Sequence, residues 1–168
     1  MTGKTAFCTI LALSLSAGPV FAVDRASTAK IPLDFELSDG HRFITLSSLP
    51  AMPTVVNFWR ADCPPCLREM PELAALARSG QARVITVALQ RPTETAAAPA
   101  EIQAVLRAPL LVLHGPSEPR GLLARFGNRI GALPHTVILD TGRRACAQRT
   151  GEINRQWLAA SLTACDKS

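Results

Sequence analysis

The segment Thr54-Val55-Val56-Asn57-Phe58-Trp59-Arg60-Ala61-Asp62-Cys63-Pro64-Pro65-Cys66 sets two thiols at a strand-to-helix junction. Thr54 to Trp59 is nearly continuous in apolar character, as expected of a strand buried on both faces of a parallel sheet. From Cys66 onward Met70, Leu73, Leu76 and Ala77 fall on one helical stripe, with Arg68, Glu69, Glu72 and Arg78 mostly off it. A C-x-x-C on the first turn of a helix lets the two sulfurs close a small disulfide ring. The unpaired N–H groups and positive end of that helix favour thiolate on the leading cysteine. Cys63 is therefore the candidate nucleophile and Cys66 the resolving thiol.

Working outward, Ile31 to Leu37 alternates apolar and polar side chains and ends at Asp39-Gly40, a short strand and turn, and Phe43 to Leu46 can pair with it as a hairpin. The helix begun at Cys66 is expected to end near Gly80. Arg83 to Leu89 reads as a second buried strand, Thr93 to Pro99 as a loop, Ala100 to Arg107 as a short helix and Pro109 to Leu113 as a third strand. Ser117 can cap a helix from Glu118 to Phe126, stopped by Gly127. Pro134 opens a strand over His135 to Leu139, Asp140-Thr141-Gly142 turns it into another over Arg143 to Thr150, and Ile153 to Cys165 forms a closing amphipathic helix. Strands alternating with helices imply an α/β sandwich with a mixed sheet and helices on both faces.

The 168-residue chain suits one domain. Lys4, an apolar stretch to Ala17 and Gly18-Pro19-Val20-Phe21-Ala22 have the pattern of a signal peptide over residues 1–22, cut after Ala22, which leaves a domain over 23–168. The rival is an uncleaved membrane anchor. Cys8 leaves with the signal and lies too early to be a lipid-attachment cysteine. Removing residues 1–22 takes away only Lys4 among the charges, so the net charge falls from +5 to +4. The charges are dispersed, no Lys/Arg run is interleaved with aromatics and the chain has no Tyr, so nucleic-acid binding has little support. The balance serves solubility, or docking to an acidic partner.

Asn57-Phe58-Trp59, Cys63-Pro64-Pro65-Cys66, Glu69-Met70-Pro71 and Ala132-Leu133-Pro134-His135-Thr136, in that order, resemble the TlpA/ResA-like family of exported thioredoxin-fold thiol-disulfide oxidoreductases over about residues 31 to 163. The resemblance implies a thioredoxin-like three-layer sandwich, with residues 33–40 in an N-terminal entry hairpin and residues 92–113 as a central helix-strand insertion. It implies that Pro134 is a cis-proline facing the active-site disulfide, with Leu133 presenting backbone groups to an extended substrate segment. The alternative is a trans proline at a strand start. Trp59, Pro64, Pro65, Leu133 and His135 are the residues expected to face substrate. Pro71 matches the family's helix-kinking proline.

Glu69, one turn beyond Cys66, stands where the family often places a carboxylate that modulates the cysteines and can take the proton of the resolving thiol. The other reading is a solvated surface carboxylate. Asn57 occupies the place of the buried Asp of plain thioredoxin, so that proton relay is expected to be missing. Two positions depart from the family. Asp62 replaces the usual Trp before the first cysteine, where its charge disfavours thiolate unless Arg60 offsets it. His135 replaces the usual Thr after the proline, either as a surface residue or as a pH-dependent charge near the disulfide.

Cys146 and Cys165 are the remaining cysteines. In an oxidising compartment a structural disulfide is the leading expectation. Strand alternation, however, puts Cys146 on one face with Arg144 and Gln148, and two free thiols or a second redox pair stay open.

The function expected is a periplasmic enzyme, a reductase of protein disulfides acting through a mixed disulfide and needing no dissociable cofactor. By the resemblance, its partners are proteins bearing disulfides or thiols, such as apocytochrome c or copper-site assembly proteins, with a membrane thiol transporter as electron donor. The rivals are a disulfide-donating oxidant and a copper metallochaperone with Cys63, Cys66 and His135 as ligands. A peroxidase is disfavoured, because Arg60 stands three before Cys63 instead of a hydroxyl residue.

Overall fold

A computed structural model describes residues 31–107 and 109–166. Its strands are β1 (Glu36–Ser38), β2 (Phe43–Thr45), β3 (Thr54–Trp59), β4 (Arg83–Ala88), β5 (Leu111–His114), β6 (His135–Leu139) and β7 (Ala145–Thr150). The helices are α1 (Pro64–Ser79), α2 (Pro92–Ala96), α3 (Ala100–Leu106), α4 (Arg120–Arg125) and α5 (Arg155–Cys165). The strands form one sheet in the order β2-β1-β5-β4-β3-β6-β7. β3, β4 and β5 run parallel, while β6 and β7 on one side and the β1–β2 hairpin on the other are antiparallel. This is the mixed-sheet, thioredoxin-like sandwich expected, with its entry hairpin and its inserted helix-strand segment. The signal-peptide reading of residues 1–22 lies outside the described residues. No helix among those described is long and apolar enough to cross a membrane.

β3 is buried along its whole length, and its alternation divides the core in two. Val55 and Trp59 point to one face, where they pack with Cys66, Met70, Leu73 and Ala74 of α1, Ile102 of α3 and Leu158 of α5. Val56 and Phe58 point to the other, against Leu122 and Leu123 of α4, Phe126, and Leu37 and Ile44 of the hairpin. Each fully buried side chain of this size contributes about 1.5–3 kcal/mol of burial free energy. The three-layer arrangement therefore follows from a strand with no polar face.

Two elements differ from the sequence expectation. Helix α1 begins at Pro64, not Cys66, because prolines need no hydrogen bond for their missing N–H in a first turn and their fixed φ suits it. Residues 93–99 are not a plain loop, since α2 occupies most of them. Pro92 opens that helix and Glu94 turns its carboxylate back onto the Arg91 N–H at 2.8 Å, a local closure that supplies the missing order.

The geometry also corrects the expectation for Cys146. In the β6–β7 ladder Ile138 pairs with Ala147 and Leu139 with Ala145, so Cys146 is the extra residue of a bulge. A bulge breaks the two-residue alternation and re-aims the side chain. Cys146 accordingly packs on the same face as Ala147, against α5, and is bonded to Cys165 with the two Cα atoms 5.4 Å apart. The bond staples the last helix to the sheet edge. Replacing both cysteines by Ala is expected to lower the unfolding free energy by about 3 kcal/mol, the loop-entropy value for a ring of this length. Urea denaturation without reductant measures it, and an unchanged midpoint would contradict the staple.

Candidate active site

Cys63 is the N-cap of α1, in extended backbone conformation, and its Sγ accepts the Cys66 N–H at 3.3 Å. A sulfur in that place sits against the unpaired N–H groups of the first turn, which is where negative charge is stabilised. Cys63 and Cys66 form a disulfide with Cα atoms 5.3 Å apart. The two sulfurs are not equivalent, because Cys63 is half-buried while Cys66 is fully enclosed. An incoming group meets Cys63 first.

The adjacent Asp62 does not stand alone. Arg60 grips it with a two-pronged contact, Nε to Oδ1 at 2.8 Å and Nη2 to Oδ2 at 3.2 Å, while Nη1 donates to the Leu89 carbonyl at 3.1 Å. The guanidinium hydrogen bond holds the Asp62 carboxyl below its ordinary range, so it stays ionised and paired. Together with Ala61, Gln90 and Glu94 the pair lines a small cleft of about 140 Å³ beside Cys63. The negative charge before the nucleophile is therefore largely offset at short range.

Glu69 is not on the surface. Its side chain is 1 % exposed and lies one helical turn from the enclosed Cys66, a separation of about 5–6 Å between Cβ atoms. Oε1 accepts from Asn57 Nδ2 at 2.6 Å and Oε2 from the Ile153 N–H at 2.9 Å. Burial raises its pKa from 4.5 to about 7, and the two hydrogen bonds only partly counter that. The solvated-carboxylate reading is thus corrected. Asn57 Nδ2 also reaches Thr136 Oγ1 at 3.0 Å, and Asn57 Oδ1 is buried without a partner. Rotating that amide by half a turn offers Oδ1 to a protonated Glu69, so one side chain can serve both protonation states. Asn57 leaves β3 without a carboxyl group here, and a buried carboxyl group comes from α1 instead.

The proline loop meets this site through the sheet. β6 pairs with β3 in the register Asn57 to Thr136 and Phe58 to His135, so Pro134 lies beside the end of β3 from which the chain runs to Cys63. The Leu133–Pro134 bond is cis, as the resemblance implied. Leu133 is half-buried and packs on both core clusters. Asn128, 2 % exposed, braces the approach to it by donating from Nδ2 to the Ala132 carbonyl at 2.7 Å and accepting the Gly131 N–H at 2.9 Å. Sequence reading passed over Asn128, although an Asn just after the helix-stopping Gly127 was a signal available to it.

Of the residues expected to face substrate, Pro64 is exposed, Pro65 half-buried and Leu133 half-buried. Trp59 and His135 do not face outward. Trp59 is 0 % exposed, locked between β3 and α1. His135 is 1 % exposed on the opposite sheet face, stacked near Phe58 with ring centres 6.1 Å apart. Its Nε2 donates to the Phe126 carbonyl at 2.8 Å and its Nδ1 accepts from Thr150 Oγ1 at 2.9 Å. Burial lowers its pKa, which keeps it neutral. It is a core tie, neither a surface residue nor a charge beside the disulfide, and the set Cys63, Cys66 and His135 is not assembled as metal ligands. Pro71 lies inside α1, which continues through it to Ser79.

The AhpC/TSA family model matches residues 28–145. No curated protein matches the chain significantly. Among solved structures the chain is similar to a DsbF homologue from Corynebacterium diphtheriae, at TM-score 0.67 and 17% identity over 82% of this chain and 88% of that one. It is likewise similar to the exposed lipoprotein thioredoxin Etrx1 of Streptococcus pneumoniae, at TM-score 0.60 and 22% identity over 78% and 98% of the two chains. A secreted disulfide oxidoreductase of Mycobacterium tuberculosis gives 0.60 and 17% over 77% and 95%. These likenesses show the thioredoxin-like fold that the TlpA/ResA-like resemblance implied. With its matching region covering well over half its length and a C-x-x-C disulfide capping α1, the chain belongs to the AhpC/TSA family and is a thioredoxin-fold thiol-disulfide oxidoreductase.

Proposed function

We propose that this protein is an exported reductase of protein disulfides, and that Glu69 is the proton acceptor for its resolving cysteine. The observation that carries the reading is the asymmetry of the pair: Cys63 is accessible on a helix N-terminus, and Cys66 is enclosed with a buried carboxyl group one turn behind it. In the reduced protein the Cys63 thiolate attacks one sulfur of a substrate disulfide. A bond forms between Cys63 Sγ and that sulfur, and the other substrate sulfur leaves as thiolate and takes up a proton. Cys66 then gives its proton to the Glu69 carboxylate and attacks Cys63 Sγ, which closes the Cys63–Cys66 bond and expels the second substrate thiolate. Two electrons pass from the dithiol to the substrate.

An enclosed thiol cannot give its proton to bulk water, so a buried group that is ionised about half the time near neutrality suits the step. The backbone of Leu133, ahead of the cis-proline, is the docking edge for an extended substrate segment. Export is supported by the signal-like residues 1–22 and by relatives described as secreted or exposed. Proteins awaiting haem or copper, and a membrane thiol transporter as donor, are the partners that the TlpA/ResA-like resemblance suggests.

The equilibrium potential of the Cys63/Cys66 couple against glutathione tests the direction. A value near about −270 mV supports the reductase, and one near about −120 mV the oxidant. Cys66→Ser is expected to accumulate a mixed disulfide with a reducible substrate protein, seen on non-reducing gels, while Cys63→Ser forms none. Glu69→Gln is expected to slow release of the mixed disulfide by roughly a hundredfold, at the low end for a general base, and to remove the inflection near pH 7, with alkylation of Cys63 much less affected.

The same variant has a stability signature. Because the folded pKa of Glu69 is raised to about 7, the native chain holds a proton that the unfolded chain releases. The stability is fully present below about pH 4.5 and declines as pH rises to 7, by an amount on the order of 2–3 kcal/mol. Glu69→Gln should therefore gain stability relative to the native chain between pH 5 and 8. A parallel pH dependence of the two proteins in urea denaturation would contradict a buried, proton-holding Glu69.

A further inference from the structure

The bond between Cys146 and Cys165 closes a covalent ring over residues 146–165, which contains β7 from Cys146 onward, the turn at Gly151 and all of α5. That ring touches the active-site helix at three polar points. The Ile153 N–H donates to Glu69 Oε2 at 2.9 Å, Glu152 Oε2 pairs with Arg68 Nη2 at 2.7 Å, and Arg155 Nε pairs with Glu72 Oε2 at 3.2 Å. Positions 68, 69 and 72 are the stretch of α1 that follows Cys66. The contact at Glu69 is a backbone contact, so no side-chain choice at residue 153 sets it. Its placement depends on where the turn between β7 and α5 is held.

We infer that the Cys146–Cys165 bond is a clasp that holds the Ile153 N–H on Glu69, so that a disulfide at the far end of α5 fixes how readily the carboxyl group beside Cys66 accepts a proton. The inference rests on the proposed role of Glu69. The physical argument is one of tethering. Asn154 caps α5 by accepting the Trp157 N–H at 2.9 Å, which makes Ile153 the last residue before a rigid rod. The rod's other end is bonded to β7, and β7 itself leads back to the same turn. With both ends fixed, the turn cannot slide along α1. With the bond open, α5 keeps its apolar face and the Arg155–Glu72 pair, and the turn keeps the Glu152–Arg68 pair; exposed pairs are worth about 0–1 kcal/mol each.

The groups that act on Glu69 come from several neighbouring elements: Asn57 from β3, Arg149 from β7, and Glu152 and the Ile153 N–H from the turn before α5. Arg149 favours the ionised form and Glu152 opposes it. Only the Ile153 N–H combines direct contact with dependence on the ring. A donor withdrawn from a buried carboxylate favours the protonated acid, so opening the clasp leaves less of Glu69 as the accepting carboxylate at a given pH.

The Ile153 amide reports this directly, since a proton bonded to a carboxylate shifts when that carboxylate titrates. In ¹⁵N-labelled protein its resonance is expected to inflect near pH 7, and Glu69→Gln should abolish the inflection. In Cys146→Ala/Cys165→Ala the midpoint should move upward by about one pH unit, equivalent to a roughly tenfold lower ratio of carboxylate to acid at fixed pH, as expected for loss of a hydrogen bond to a charged group. Hydrogen-exchange protection of the same amide should fall with it. If that variant does not fold, Cys63→Ala/Cys66→Ala protein measured before and after phosphine reduction isolates the second disulfide. A midpoint and protection unchanged on opening the bond would overturn the clasp while leaving the Glu69 role standing. A native amide with no inflection between about pH 6 and 8 would overturn both.

Discussion

The antiparallel pairing of β6 with β3 is the constraint on which the site depends. It sets Thr136 beside Asn57 and His135 beside Phe58, residues 79 and 77 positions apart. Since side chains alternate along both strands, the pairing sends Asn57 and Thr136 together toward α1, and Phe58 and His135 together toward Phe126. A slip of β6 by one residue would turn Thr136 away from Asn57 and an imidazole toward the active-site helix. Burial of β3 on both faces makes such a slip costly, so the core enforces the chemistry.

The partners of two buried titratable groups, Glu69 and His135, give the site its character. Glu69 would be a heavy cost in an apolar core if ionised and alone. It is tolerated because Asn57 and Ile153 donate to it, and because it can retreat to the neutral acid. His135 meets the same problem in the opposite way, remaining neutral and using both ring nitrogens to tie α4's end to β7. One buried group is poised to change its protonation and the other is held from doing so. The difference lies in their partners: a pair of donors leaves a carboxyl group able to accept charge, whereas a carbonyl and a hydroxyl already satisfy a neutral ring.

Much of this was legible in the chain. The apolar run into Cys63-Pro64-Pro65-Cys66, the stripe Met70, Leu73, Ala77 and the Leu133-Pro134 pair each carry a local signal, and local signals reach the sheet order and the helix that bears the cysteines. Periodicity fails where a residue's neighbours come from elsewhere. Glu69 lies off the stripe of large apolar residues and so reads as a surface position, yet the turn before α5 folds over it. Cys146 reads as facing away from α5, yet one extra residue against Ile138 and Leu139 turns it round. Trp59 and His135 flank the site in sequence but alternate into the core on both faces of the sheet.

The amino-acid sequence by itself determined the architecture and the reacting pair, because burial of β3, the proline-started helix and the two-residue gap between thiols are properties of contiguous residues. Tertiary structure alone decided the charge state and environment of that pair. Whether a carboxyl group keeps its proton depends on how much water is removed from it and on which donors arrive, and here those donors come from a strand 12 residues before it and a turn 84 residues after it. Desolvation and hydrogen bonding are summed in space, and no spacing along the chain records them.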